Sequence, residues 1–189
     1  MAEGIILAGG YSSRMSENKM TKPLWGIPLI LHAVQRMRPI VARVVIVTGY
    51  YHEPIASLFS MDSQIEIIHN DQYALGMFSS VQCGVRAIQS DFFILPGDYP
   101  LIHTETYTEL LQAQGAIRVP TYEGKRGHPL FMVQELREAL LKEPIDSNLK
   151  RFRDQFPVSE VAVDDSGILK DVDTFSDWML IEHLMEGRG

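Results

Sequence analysis

Residues 4–15 read GIILAGGYSSRM, in which Ile5, Ile6 and Leu7 run without a polar spacer into Gly9, Gly10, Tyr11, Ser12, Ser13 and Arg14. An apolar run of this length that stops at glycine predicts a strand over 4–8 covered on both faces, as central strands of parallel sheets are. Its glycine end suits an anion. Gly9 and Gly10 carry no Cβ, so main-chain amides can come close to a phosphate. Ser12 and Ser13 add hydroxyl donors, and Arg14 adds a fork of charged donors. Lys19 and Lys22 follow. The loop is neither GxxxxGK[ST] nor GxGxxG, the two common phosphate patterns, and its plain alternative is an ordinary glycine turn with surface cations.

The same alternation of apolar runs and amphipathic segments continues to the C-terminus and predicts an α/β chain. Strands are expected over 4–8, 43–48, 65–69, 92–95, 116–120, 130–133 and 158–163. Pro28 suits a first helical position ahead of Leu31, Val34 and Met37. Thr104 is expected to cap a helix carrying Tyr107, Leu110 and Leu111, with Gly115 as its stop. Thr174 and Asp177 form a capping-box pattern ahead of Trp178, Ile181, Leu184 and Met185, read as core. The stretch YEGKR at 122–126 reads as an exposed turn. With no repeat or long linker in view, residues 1–189 are read as one domain.

Composition narrows the function classes. The chain has 189 residues, 46% hydrophobic, with a net charge of -7. An acidic balance speaks against non-specific binding to nucleic acid or to anionic membranes, so neither is an expected partner. The single cysteine, Cys83, allows no internal disulfide and no cysteine metal cluster. No apolar run reaches the length of a spanning helix, and the first residues lack a signal-type pattern, so a soluble, cytoplasmic chain is expected.

Two acidic segments bear on the opening loop. FFILPGDYPLI at 92–102 again ends an apolar strand in a glycine, and Asp98 would project from the same sheet edge as the loop if the two strands are parallel. In KDVDTFSDW at 170–178, Asp171 and Asp173 alternate around Val172, so an extended backbone sends them opposite ways. Asp173 is the residue expected to point into the site, with Asp171 in support. Two carboxylates about 4 Å apart repel by roughly 4 kcal/mol at an effective dielectric near 20, which would stand uncompensated beside a polyphosphate. Magnesium resolves this, since it takes one or two protein carboxylates and fills its other positions with phosphate oxygens and water. Two unrelated surface aspartates are the alternative.

Gly76 and Met77 precede a helix that Ser79 or Ser80 can cap, and the same N-terminus could hold a base or a phosphate. Arg126, Gly127, His128 and Pro129 precede another strand, where a lone histidine is more often structural than catalytic. No nucleophile and base can be paired, and a phosphoryl-type displacement needs none.

Taken in order, LAGGYSSRM with Asn18 and Lys19, PLWGIPLI, GMFSSVQCG, LPGDYPLI, RGHPLF and DVDTFSDW resemble the MobA-like nucleotidyltransferases of the molybdenum cofactor, above all its cytidylyltransferases. The resemblance spans nearly the whole chain. It implies a Rossmann-like three-layer sandwich with a mostly parallel mixed sheet, of the nucleotide-diphospho-sugar transferase type. It also implies Mg²⁺-dependent transfer of CMP from CTP to the terminal phosphate of molybdopterin, with release of pyrophosphate. Leu7, Ala8, Gly9, Gly10 and Ser12, with Gly76, Met77 and Ser80, would hold the nucleotide. Arg14 and Lys19 would neutralise its phosphates, and Asp98 and Asp173, supported by Asp171, would hold the metal. Arg126, Gly127, His128 and Pro129 would sit on the pterin side with Tyr99, which stands where the family has glutamine or methionine. Ser16 replaces a family glycine, and PIDSNLKRF at 144–152 replaces an acidic-glycine stretch. LAGG leans toward guanylyl relatives, RGHP and DVDT toward cytidylyl ones. GTP, or a sugar phosphate or other phosphorylated acceptor, is the alternative within the fold. A non-catalytic carrier handing cofactor to a recipient molybdoenzyme is the alternative of another class.

Overall fold

The computed structural model describes residues 1–11 and 17–186. In chain order its elements are β1 Glu3–Ala8, β2 Pro23–Leu24, β3 Ile27–Pro28, α1 Leu29–Met37, β4 Val44–Thr48, α2 His52–Ser57, β5 Ile65–His69, α3 Met77–Ala87 and β6 Phe92–Pro96. Then follow α4 Thr104–Gln112, β7 Ile117–Tyr122, β8 Lys125–Arg126, β9 Leu130–Met132, α5 Arg137–Lys142, α6 Leu149–Arg153, β10 Val158–Ala162 and α7 Phe175–Glu186.

The main sheet runs β10-β7-β9-β6-β1-β4-β5, with β8 appended to β7. Neighbours pair in parallel at β1–β4, β1–β6, β4–β5 and β10–β7, whereas β9 runs antiparallel to both β6 and β7. Helices flank it, making a mixed, mostly parallel α/β sheet. β1 is buried along its whole length and sends alternate side chains to the two faces. Ile6 and Ala8 join one core with Ile46, Phe93 and Leu95. Ile5 and Leu7 join the other with Val45, Val47 and Ile94. Each fully buried Ile or Leu contributes roughly 1.5–3 kcal/mol, so the central strand is anchored from both sides.

The chain steps from β1 outward to β4 and β5, then crosses back to β6 on the other flank of β1. Ligands of open α/β sheets settle outside the carboxyl ends of the strands at such a reversal. Here that crevice lies beyond Leu7 and Pro96, which are register partners across β1 and β6.

Several local expectations give way to tertiary competitors. Pro28 stands at the N-cap of α1, one residue outside the helix, because it closes the β2–β3 hairpin opposite Pro23. Thr104 is the first residue of α4 and does not cap it. Its hydroxyl donates to the Arg36 carbonyl at 3.0 Å, while Asp165 accepts from the His103 amide at 2.8 Å and the Thr106 hydroxyl at 2.7 Å. A carboxylate distant in sequence thus takes over the cap. The capping box at α7 forms as read: Asp177 accepts from the Thr174 amide at 2.7 Å, and the Thr174 hydroxyl accepts from the Asp177 amide at 3.2 Å. Trp178 and Ile181 are buried behind it, but Leu184 is exposed. β7 runs two residues past its expected end, because Thr121 and Tyr122 pair with β8. Among the described residues, no helix is long and apolar enough to cross a membrane.

Candidate functional site

A cleft of about 400 Å³ opens beyond the ends of β1 and β6. Leu7, Gly9, Gly10 and Tyr11 form one wall. Tyr73, Gly76, Met77 and Ser80 form a second wall, which meets the first where the Tyr11 and Tyr73 rings lie 5.4 Å apart, and Lys19, Asp98 and Asp173 also line the cleft. Of the residues assigned to a nucleotide, Ala8 does not line this cleft, because the alternation of β1 turns its side chain into the core. Its main chain still belongs to the strand end. Ser12 and Arg14 lie outside the described residues.

The second wall is held from below by one amide. Asn70, buried, donates to the Ser79 hydroxyl at 2.9 Å and the Ser80 hydroxyl at 3.0 Å. Ser79 lies 2.8 Å from the Gly76 carbonyl, to which its hydroxyl donates. The two serines therefore sit inside the first turn of α3 and do not cap it; Gly76 occupies the cap position with no side-chain cap. Gly76 has φ +102°, a conformation that costs L side chains strain, so glycine is needed there. The Ser79 amide donates to the Gly76 carbonyl at 3.2 Å, and the two amides before it, at the start of an 11-residue helix, have no side-chain cap and suit an anion entering the cleft. Asn70, Tyr11 and Tyr73 carried no motif signal, and only the loop beside NDQYALGM hinted at them.

The carboxylates meet as expected, with Lys19 between them. Lys19 is buried, and its ammonium donates to Asp98 Oδ2 at 2.8 Å, to the Val172 carbonyl at 2.7 Å and to Asp173 Oδ1 at 3.5 Å. The Val172 amide in turn donates to the Asp98 carbonyl at 2.9 Å. Two segments from opposite ends of the chain are thereby stitched together at the sheet edge. Asp98 Oδ1 is buried and has no hydrogen-bond partner among the described residues. A buried carboxylate oxygen aimed at nothing is expensive, and it is the coordination such an oxygen would offer a divalent cation. Among the described residues no set of three or more His, Cys, Asp or Glu forms a metal cluster. Two carboxylates suffice for Mg²⁺, which keeps water and phosphate oxygens in its other positions.

Asp171 does not line this cleft. Its charge acts on Tyr99 and His128, which line a second cavity of about 390 Å³ together with Arg126 and Gly127. The Tyr99 and His128 rings lie 4.7 Å apart, centroid to centroid, at 58°. Burial first, then the charges of Asp171 and Asp98, pushes the Tyr99 phenol up and keeps it neutral. Gly127 admits no side chain, since a Cβ there would lie 2.4 Å from the Ile168 carbonyl oxygen. That contact holds the Gly127–His128 turn against the segment leading to Asp171. Pro129 follows His128 through a cis peptide bond and does not line the cavity.

Burial lowers the His128 imidazole to about 4; Asp171 pulls upward, and Arg153 pushes down again. The free imidazole titrates near 6.5, so between about 6.5 and 4 the unfolded chain binds the additional proton. The contribution is complete above 6.5 and is lost as the pH falls toward 4. Urea unfolding at a series of pH values should show the native protein losing roughly 3 kcal/mol across this window that His128→Asn does not lose. Parallel declines in the two proteins would contradict the neutral, buried assignment.

The MobA-like NTP transferase domain matches residues 4–161. The chain is 30% identical over 179 residues to the molybdenum cofactor cytidylyltransferase of Escherichia coli (strain K12), covering 93% of this chain and 92% of that protein. It is also 30% identical over 152 residues to a probable molybdenum cofactor guanylyltransferase of Bacillus cereus (strain G9842), covering 74% of each. Its fold matches a nucleotidyl transferase from Methanothermobacter thermautotroptrophicus with a TM-score of 0.85 at 20% identity, over 100% of this chain and 99% of the other. On the family match over residues 4–161 and the similarity to the cytidylyltransferase, the chain belongs to the MobA-like NTP transferase family of nucleotidyltransferases.

Proposed function

We propose that this chain is a cytoplasmic, Mg²⁺-dependent enzyme that transfers CMP from CTP to the terminal phosphate of molybdopterin and releases pyrophosphate. The observation that carries the reading is the convergence of Asp98 and Asp173 on Lys19, at the edge of a glycine-walled cleft and next to a second, ring-lined cavity. An oxygen of the acceptor phosphate attacks the α-phosphorus, and the bond to the β-phosphate breaks. The acceptor is already anionic, so no general base is required, and the chain acts by positioning and charge.

The main chain of Leu7, Ala8, Gly9 and Gly10 faces the nucleotide from one side, and Gly76, Met77 and Ser80 face it from the other. The first amides of α3 suit an anionic group. Lys19, with Arg14 and Ser12 of the opening motif, offsets charge on the phosphates. Asp98 and Asp173 would hold the Mg²⁺, which when bound neutralises the charge on the phosphoryl oxygens. Tyr99, Arg126, Gly127 and His128 face the pterin, with Pro129 behind them in the turn. The product would pass to a recipient molybdoenzyme.

GTP is the second reading, favoured by the Gly9–Gly10 pair and by the similarity to the Bacillus cereus guanylyltransferase. The test is to incubate the protein with each of the four nucleoside triphosphates, Mg²⁺ and molybdenum-loaded molybdopterin, and to measure pyrophosphate. CTP should give release at least about tenfold faster than GTP, equivalent to about 1.4 kcal/mol of discrimination. Faster release with GTP would reverse the base assignment, and none with any nucleotide would remove the function.

A further inference from the structure

Leu149–Arg153 form α6, capped by Asn148, whose side chain accepts from the Arg151 amide at 2.8 Å. α6 overlaps the PIDSNLKRF stretch, to which no site role was given, and its Lys150 and Arg153 line the second cavity beside Tyr99 and His128. With Arg126, they bring three cations to one cavity in a chain of net charge -7. Arg126 is shared with Glu160 at 2.7 Å, and Arg153 with Asp154 at 2.8 Å. Lys150 makes no ion pair or side-chain hydrogen bond among the described residues. The cavity floor is apolar, with Val119, Leu130 and Ile168. On its wall, His128 Nδ1 is buried with no partner among the described residues.

These features do not describe a site for the reacting phosphate. That group has to reach the cleft edge at Asp98, whereas Lys150 and Arg153 line only the cavity on the far side of Tyr99. Apolar side chains, the Tyr99 and His128 rings and a buried ring nitrogen suit a heterocycle with planar faces, and cations lining the same cavity suit a second anionic substituent.

We infer that Lys150 and Arg153 of α6 are specificity residues that select an acceptor built as a planar heterocycle carrying an anionic group remote from its reacting phosphate. The inference rests on the proposed function only in taking the second cavity as the acceptor side.

Two fluorescent probes test it directly: pterin-6-carboxylate, planar and anionic, and unsubstituted pterin, planar without the anionic group. Fluorescence titration of the native protein should give a Kd for the carboxylate about tenfold or more below that for pterin, the scale of one or two charge-assisted hydrogen bonds. The double variant Lys150→Gln, Arg153→Gln should lose that preference while its affinities for pterin and for CTP stay within about twofold. Lys150→Arg should retain it, and the CTP affinity doubles as a check that the variant is folded. Equal affinity for both probes in the native protein, or a preference that survives the double substitution, would overturn the inference. The pyrophosphate assay separates the two readings. Probe preference without pyrophosphate release removes the proposed function and leaves the cavity assignment. Release with an acceptor KM unchanged in the double variant removes the role of α6 and leaves the function.

Discussion

Asp98→Asn is expected to lower the rate of pyrophosphate release by roughly 10²–10³-fold while CTP affinity changes by no more than about threefold. The substitution is isosteric, and the main-chain link from Val172 to Asp98 does not depend on the side chain. Lys19 keeps the Val172 carbonyl and Asp173 as acceptors. What disappears is the negative charge on a buried oxygen that no protein donor satisfies among the described residues. If the carboxylate exists to hold a cation against the transferring phosphoryl group, turnover carries the loss. A protein that merely binds nucleotide would release no pyrophosphate before or after the substitution and would lose CTP affinity only modestly. Steady-state release and calorimetric titration with CTP, made on the same preparation, decide between these outcomes.

Lys19→Met should have its largest effect on stability in the absence of divalent ions. The ammonium is buried, and it lies between Asp98, whose side chain is 16% exposed, and Asp173, at 35%. Removing it leaves two facing carboxylates and one carbonyl without their shared donor. Removing one member of a fully buried pair costs about 3–5 kcal/mol, and exposed pairs contribute about 0–1 kcal/mol. This half-buried arrangement should therefore lose about 1–3 kcal/mol in chelator. Millimolar Mg²⁺ should restore a larger part of that loss in the variant than it adds to the native protein, because a cation can then take the place of the ammonium. Thermal unfolding of both proteins in chelator and in Mg²⁺ measures it. A variant as stable as the native protein in chelator, or one indifferent to Mg²⁺, would show that Lys19 does not hold the carboxylates together.

Much of the fold was legible in the sequence, for a local reason. Central strands of a parallel sheet are apolar on both faces, so β1, β4 and β6 stand out as short runs without any partner being known. The hairpin strands are different. β2 and β3 have two residues each, too few for periodicity, and the turn between them depends on Trp25 and Gly26 at φ 52° and 84°. Caps were read correctly only where both partners are close in sequence, as at Thr174 and Asp177. At α4 the donors found Asp165 instead, a competitor that no window of ordinary length contains.

The candidate site divides along the same line. The sequence by itself determined that a glycine-ended strand and two acidic loops exist, because an apolar run and the residues that end it are local features of the chain. Only the tertiary structure decided that Asp98 and Asp173 share Lys19, and that α6 brings Lys150 and Arg153 to the cavity behind Tyr99. The physical reason is that parallel strands are joined by long crossovers, so residues that meet at one sheet edge come from segments far apart in the chain. Their meeting is fixed by strand order and register, which are long-range pairings that local composition does not encode.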